Sequence, residues 1–227
     1  MESNSLRIAE GLGVLHLFCK IQNEIDKHKI EEIVQDALES SMQVVTVSIL
    51  GHKADIAFMV LSEDWVQLRK FQTNLSAAGL DLVDSYVSLT EISEYAQGVP
   101  EEMRNARLYP ELPPEDKKAW CFYPMTKRRN PTQNWFTLPF EKRKELMYEH
   151  GASGRKFSGR VLQVITGSTG VDNYEWGVTL FCIHPDDLKD VVYTMRFDEA
   201  SAEYAEFGPF YSGYVIQIED LLNEYTN

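Results

Sequence analysis

Apolar and polar positions in the first hundred residues switch between two periods. LGVLHLFC (12–19) reads as a strand, after which Ile25, Ile30, Ile33, Val34 and Leu38 recur at roughly helical spacing over 24–39. MQVVTVSIL (42–50), rich in β-branched residues, and DIAFMVLS (55–62), after the GHKA turn, predict two further strands. Trp65, Leu68, Phe71 and Leu75 share one face of a helix predicted over 64–78, and Gly79 punctuates its end. LDLVDSYVSL (80–89) closes this half as a strand.

The second half repeats the order. AWCFY (119–123) is a strand, and 139–150 a helix with Pro139 in its first turn and Gly151 past its end. GRVLQVIT (159–166) and EWGVTLFCI (175–183) are strands joined by GSTGVDN; Pro185 opens a helix to about Met195, and PFYSGYVIQI (209–218) is the last strand. Each half is β-α-β-β-α-β, the ferredoxin-like arrangement. The fold class is therefore α+β, with tandem ferredoxin-like repeats whose sheets pack face to face or close into a dimeric α+β barrel within one chain. The expected boundaries are 1–98 and 119–227, with the proline-rich stretch 99–118 as a crossing linker.

Composition narrows the function. With 22 basic residues against 35 acidic ones the formal charge is −13, which argues against coating a nucleic acid by bulk electrostatics. Three dispersed cysteines (Cys19, Cys121, Cys182) exclude a disulfide framework and suit a reducing cytoplasm. The first residues lack a signal-peptide pattern, and no apolar run reaches the roughly 18 to 20 residues that span a bilayer. The charge is unevenly spread: residues 117–160 hold 11 of the 22 basic residues and three acids. Woven through that island are Trp120, Phe122, Tyr123, Met125, Trp135, Phe136 and Phe157. A solvated helix face is the plain reading; a flat apolar ligand edged with carboxylates would use both properties.

His150 ends the EKRKELMYEH run and shares the apolar face of Leu146 and Met147. Its position suits either a capping histidine or an axial ligand of haem iron. A lone histidine is a poor zinc site. In the strand GRVLQVIT, Gln163 is read on the face of Leu162 and Val164, opposite Val161 and Ile165.

CFYPMTKRR (121–129), NWFTLP (134–139), the His150-Gly151 helix end, SGRKFSGRVLQVITGS (153–168), EWGVTLF (175–181) and YTMRFDEASAEYAEFGPF (193–210) stand in one order. In these stretches the chain resembles the coproheme decarboxylases, hydrogen-peroxide-dependent haem synthases of the chlorite dismutase-like superfamily. The resemblance is dense from about Arg107 to Gly213; the first half matches mainly in its pattern of elements.

That resemblance implies a site and a reaction. His150 would be the proximal ligand to the iron of coproheme (Fe-coproporphyrin III), substrate and redox centre at once, with haem b as product. Tyr123 would be the redox-active tyrosine and Lys127 would sit near a reacting propionate. Pro124, Met125 and Thr126 would belong to the same binding segment, and Gln163 would face the peroxide. Arg196 and Ser201 would hold propionates with Arg107, for which Arg104 is a rival. A homopentamer and a passing contact with a coproporphyrin ferrochelatase are also implied. Chlorite dismutases, on the same fold, carry an arginine where this chain has Gln163. A haem carrier or sensor without turnover would need neither Tyr123 nor Lys127, and the propionate-binding set disfavours a small oxygenase on a ferredoxin-like barrel.

Overall fold

Strands β1 (Gly13–Lys20), β2 (Gln43–Ile49), β3 (Ile56–Ser62) and β4 (Asp81–Thr90) form an antiparallel half-sheet in the order β4-β1-β3-β2. The computed structural model describes residues 5–21, 24–96 and 98–225. Helices α1 (Lys27–Glu39) and α2 (Trp65–Ala77) pack on one face of this half-sheet. Asp26 and Asp64 cap them, each side chain accepting a backbone N–H of the first turn. Gly79 follows α2 at φ +99°, where a Cβ would lie 2.8 Å from the Glu24 carbonyl.

The carboxy-terminal half-sheet is built around β5 (Ala119–Lys127). Along one edge β5 pairs with β7 (Trp176–Cys182), which pairs with β6 (Val161–Gly167). Its other edge carries β9 (Tyr211–Val215) and then β8 (Ala205–Phe207). Strand order is the same in the two halves, β4-β1-β3-β2 and β9-β5-β7-β6, with β8 pairing further along the same edge of β5 as β9. Two short seams join the halves into a closed barrel, Leu89–Thr90 against Thr166–Gly167 and Val47–Ile49 against Gly213–Val215.

Alternation along the strands separates a barrel interior from two outer cores. Val14, Phe18, Val45, Trp120, Phe122 and Phe181 point inward, whereas Leu15, Leu17 and Cys19 meet α1 and α2. Both faces are covered, so the strands read as continuous apolar runs rather than as alternating ones. His16 lies in the interior, its ring 4.1 Å from that of Phe122 and its Nε2 3.0 Å from Thr179 Oγ1. Burial lowers its pKa to about 3, so it is neutral.

Several elements depart from expectation. Within 99–118, α3 (Glu101–Leu108) follows Pro100 and carries Glu101 and Glu102 at its start and Arg107 at its end, a charge order that suits the helix dipole. Helix α4 (Phe140–Arg155) runs through Gly151 instead of stopping there; the left-handed glycine comes later, at Gly159 (φ +84°). His150 is thus an interior residue of α4 and not its cap. α5 (Pro185–Met195) is where the pattern places it, but the short α6 (Glu199–Ala202) and β8 follow it unannounced. The last strand ends at Val215, and Ile218 begins α7 (Ile218–Glu224), whose Ile218, Leu221 and Leu222 enter the amino-terminal core. No helix among the described residues is long and apolar enough to cross a membrane.

Candidate active site

Strand β5 directs Cys121, Tyr123, Met125 and Lys127 to the outer face of its half-sheet, where the first three pack with α5 and Lys127 reaches Ala200 of α6. Cross-strand register extends that face: Tyr123 is level with Val178 and Ile165, and Cys121 with Leu180 and Gln163. Gln163 therefore lies on the face of Val161 and Ile165, opposite Leu162 and Val164. This reverses the reading from sequence, because Val164 and Leu162 fill the barrel interior. Its amide is half-buried and makes no hydrogen bond among the described residues.

Tyr123 is buried with a free phenol. Its ring stacks on Phe210 (4.4 Å, 22°) and meets the edge of Phe207 (5.7 Å). The hydroxyl has no hydrogen-bond partner among the described residues, and burial pushes its pKa up, keeping it protonated. Arg196, the residue that ends α5, is exposed and lays its guanidinium over Phe207 at 4.4 Å.

His150 and Lys127 converge on Asp198, a residue to which the sequence pattern assigns no role. His150 Nδ1 donates to Asp198 Oδ2 (3.0 Å), and Ser201 Oγ lies 3.3 Å from the same nitrogen. Asp198 caps α6 by accepting the Ser201 N–H (2.9 Å). Burial alone would raise the Asp198 carboxyl, but the bonds from His150 and Ser201 outweigh it and hold the group below the usual range. Lys127 Nζ donates to the Ala200 carbonyl (2.6 Å) and sits 4.4 Å from the centre of the Trp135 ring. Burial lowers its pKa to about 8, opposed by the charges of Asp198 and Glu175.

The sequence-derived residues thus fall into groups. Tyr123, Met125, Lys127 and Gln163 share one face, and Lys127, His150 and Ser201 share the Asp198 network. Pro124 and Thr126 point to the other side of β5: Pro124 lines a small cavity with Phe18 and Phe122, and Thr126 Oγ1 donates to Glu175. Arg107 is exposed on α3 with no side-chain partner among the described residues, while Arg104 pairs with Glu10 (2.5 Å). Much of the basic island is internally paired, Arg128 with Glu206, Arg129 with Glu175, Arg143 with Glu94 and Arg160 with Asp187. A cleft of about 360 Å³ opens beside Asp198 between α4 and the end of α5, bordered by Glu149, Lys156, Tyr193 and Phe197; Tyr123 and Gln163 do not line it.

Two ferredoxin-like halves closed into one ring, with an imidazole–carboxylate pair outside it, define a dimeric α+β barrel protein. The sequence model of the family described as chlorite dismutase matches residues 23–216. The coproheme decarboxylase of Staphylococcus carnosus is 40% identical over 246 aligned positions, covering 96% of this chain and 97% of the relative. A relative in Natronomonas pharaonis is 45% identical over 204 residues, 83% of this chain, and the chain spans 33% of that relative's length. A solved haem-binding protein from Thermus thermophilus superposes with a TM-score of 0.84 at 33% identity, covering 99% of this chain and 98% of the other. The chain belongs to the chlorite dismutase family.

Proposed function

We propose that this chain is a coproheme decarboxylase, an oxidoreductase that uses hydrogen peroxide to convert two propionates of Fe-coproporphyrin III into the vinyl groups of haem b. The observation that carries the reading is one strand face on which a buried phenol with an unengaged hydroxyl, Tyr123, is followed four residues later by a buried amine, Lys127, coupled through Asp198 to His150. The residues suit an iron porphyrin. His150 keeps Nε2 for a metal while Asp198 fixes Nδ1, the arrangement that orients metal-binding imidazoles. Arg196 and Lys127 supply cations for carboxylates at the edge of the macrocycle.

Bound iron porphyrin supplies the oxidising power of peroxide. Each propionate loses CO2, one proton and two electrons; one hydrogen peroxide takes two electrons and two protons and becomes two waters. Tyr123 serves as the relay, giving up its hydroxyl hydrogen and recovering one from the propionate, with its ring held against Phe207 and Phe210. The Lys127 ammonium orients the reacting carboxylate. Gln163, neutral where a guanidinium would favour an anionic oxidant, argues against chlorite chemistry. In this reading the enzyme works in the cytoplasm as a homopentamer supplied by a coproporphyrin ferrochelatase. Peroxide titration of the coproheme complex, followed by mass spectrometry, is expected to show two successive losses of about 46 mass units, CO2 plus two hydrogens. Tyr123→Phe is expected to bind coproheme and stall before the first loss; an unchanged wild-type complex overturns the reading.

A further inference from the structure

Strand β5 outlasts its partner. The ladder between β5 and β7 ends where Met125 faces Trp176, and the chain before Trp176 turns away. Lys127, two residues further on, would be left with an unpaired N–H on that edge. The Glu175 side chain takes the place of the missing strand: Oε2 accepts the Lys127 N–H (2.9 Å) and the Thr126 hydroxyl (2.5 Å). Its second oxygen, Oε1, meets the Arg129 guanidinium at 3.0 Å, and its own backbone N–H donates to Met125 O at 3.2 Å. The carboxylate is 6% exposed, so its charge has been taken out of water and all of its bonds go to one five-residue stretch.

We propose that Glu175 is a positioning residue, acting through Lys127: it holds the backbone end of Lys127 while Ala200 and Trp135 hold the amine end. The inference rests on the proposed role of Lys127 beside the reacting propionate. A backbone carbonyl would satisfy the same two donors. A carboxylate adds a fixed negative charge behind a buried ammonium, keeping Lys127 cationic and straight in a site where displacement of about 1 Å can cost on the order of 100-fold in rate. Uniform binding is spread over His150, Arg196 and the porphyrin face, so a displaced Lys127 lowers the chemical step more than it lowers affinity.

The test compares Glu175→Gln with Arg129→Gln in the full chain. In Glu175→Gln, the coproheme dissociation constant from optical titration is expected to stay within about 3-fold of wild type while single-turnover loss of the first CO2 slows by about 10-fold or more. Hydrogen exchange at the Lys127 amide of the ligand-free protein is expected to speed up in the same variant and to stay unchanged in Arg129→Gln. Affinity and rate falling together with thermal midpoint assigns Glu175 a purely structural role and overturns the proposal, as does an unaltered rate. An Arg129→Gln variant that reproduces the rate loss overturns it too, by moving the cause to the surface pair. Amide exchange needs no turnover. An unchanged Lys127 amide in Glu175→Gln therefore defeats the positioning role, whereas a wild type that never loses mass defeats the decarboxylase reading instead.

Discussion

At the scale of single residues the site is organised by one buried carboxylate. Asp198 fixes the imidazole of His150 and contributes the charge that keeps the Lys127 amine from losing its proton more readily. Asp198→Asn preserves shape but removes that charge and weakens the bond to His150. Outer-shell changes of this kind cost about 10- to 100-fold in metal affinity or activity, and coproheme titration followed by the absorption spectrum is expected to show a loss in that range. In the proposed reaction Lys127 sets the alkaline limit. Its pKa is about 8, below the usual lysine value, so the ammonium is complete at pH 6 to 7 and disappears as pH rises through about 8. The decarboxylation rate is expected to fall across that window, and Lys127→Met, already slow, is expected to have lost this limb. A wild-type profile flat from pH 7 to 9.5 would remove Lys127 from the chemistry.

At the scale of elements, conformational demands separate positions that look alike in sequence. Gly79 and Gly159 both have positive φ, but a Cβ at Gly79 would press on the Glu24 carbonyl whereas one at Gly159 meets nothing within 4 Å. Gly159→Ala therefore carries only the left-handed strain of about 1–2 kcal/mol, and Gly79→Ala carries that strain plus a steric clash. Urea midpoints are expected to rank Gly79→Ala lowest, and equal midpoints would contradict the close approach. The same contrast explains what the chain discloses. Strands such as VVTVSIL and IAFMVLS are long apolar runs, and α1, α2 and α5 have caps and periodic faces, so they are legible. Gly151 misleads because a Gly-Ala-Ser-Gly stretch keeps helical backbone once α4 packs on α5 and α6, tertiary contact overriding propensity. α6 and β8 are four and three residues long, too short for any period to register. Tyr123, Lys127 and His150 can be singled out by their motifs, but Asp198 lies 48 residues from His150 and 71 from Lys127, and only folding brings it to them. The face of Gln163 is misread from sequence because strand residues two apart share a side, which places it with Val161 and Ile165 and opposite Leu162 and Val164.

At the scale of the molecule, the barrel interior belongs to neither half alone. Phe122 of β5 stacks with His16 of β1 at 4.1 Å and stands 5.7 Å from Phe18 and 5.3 Å from Tyr86, all amino-terminal residues. Phe18 in turn stacks on Tyr211 of β9 at 3.7 Å. From the other end of the chain, α7 inserts Ile218, Leu221 and Leu222 among the residues of α1 and α2. Each half therefore lacks one wall of its own core when separated. One cooperative transition is expected in calorimetry, with van't Hoff and calorimetric enthalpies equal. Phe122→Ala opens a cavity in the shared interior and is expected to cost about 3–5 kcal/mol, lowering the unfolding midpoint reported by amino-terminal Trp65 and by carboxy-terminal Trp176 equally. If the mutation lowered only the Trp176 signal, the halves would be separate folding units and the barrel interior merely a surface on which they touch. Coincident shifts would mean that the sheet face bearing Tyr123 is held in place by the amino-terminal half, which contributes no candidate ligand of its own yet sets the rigidity of the strand that does.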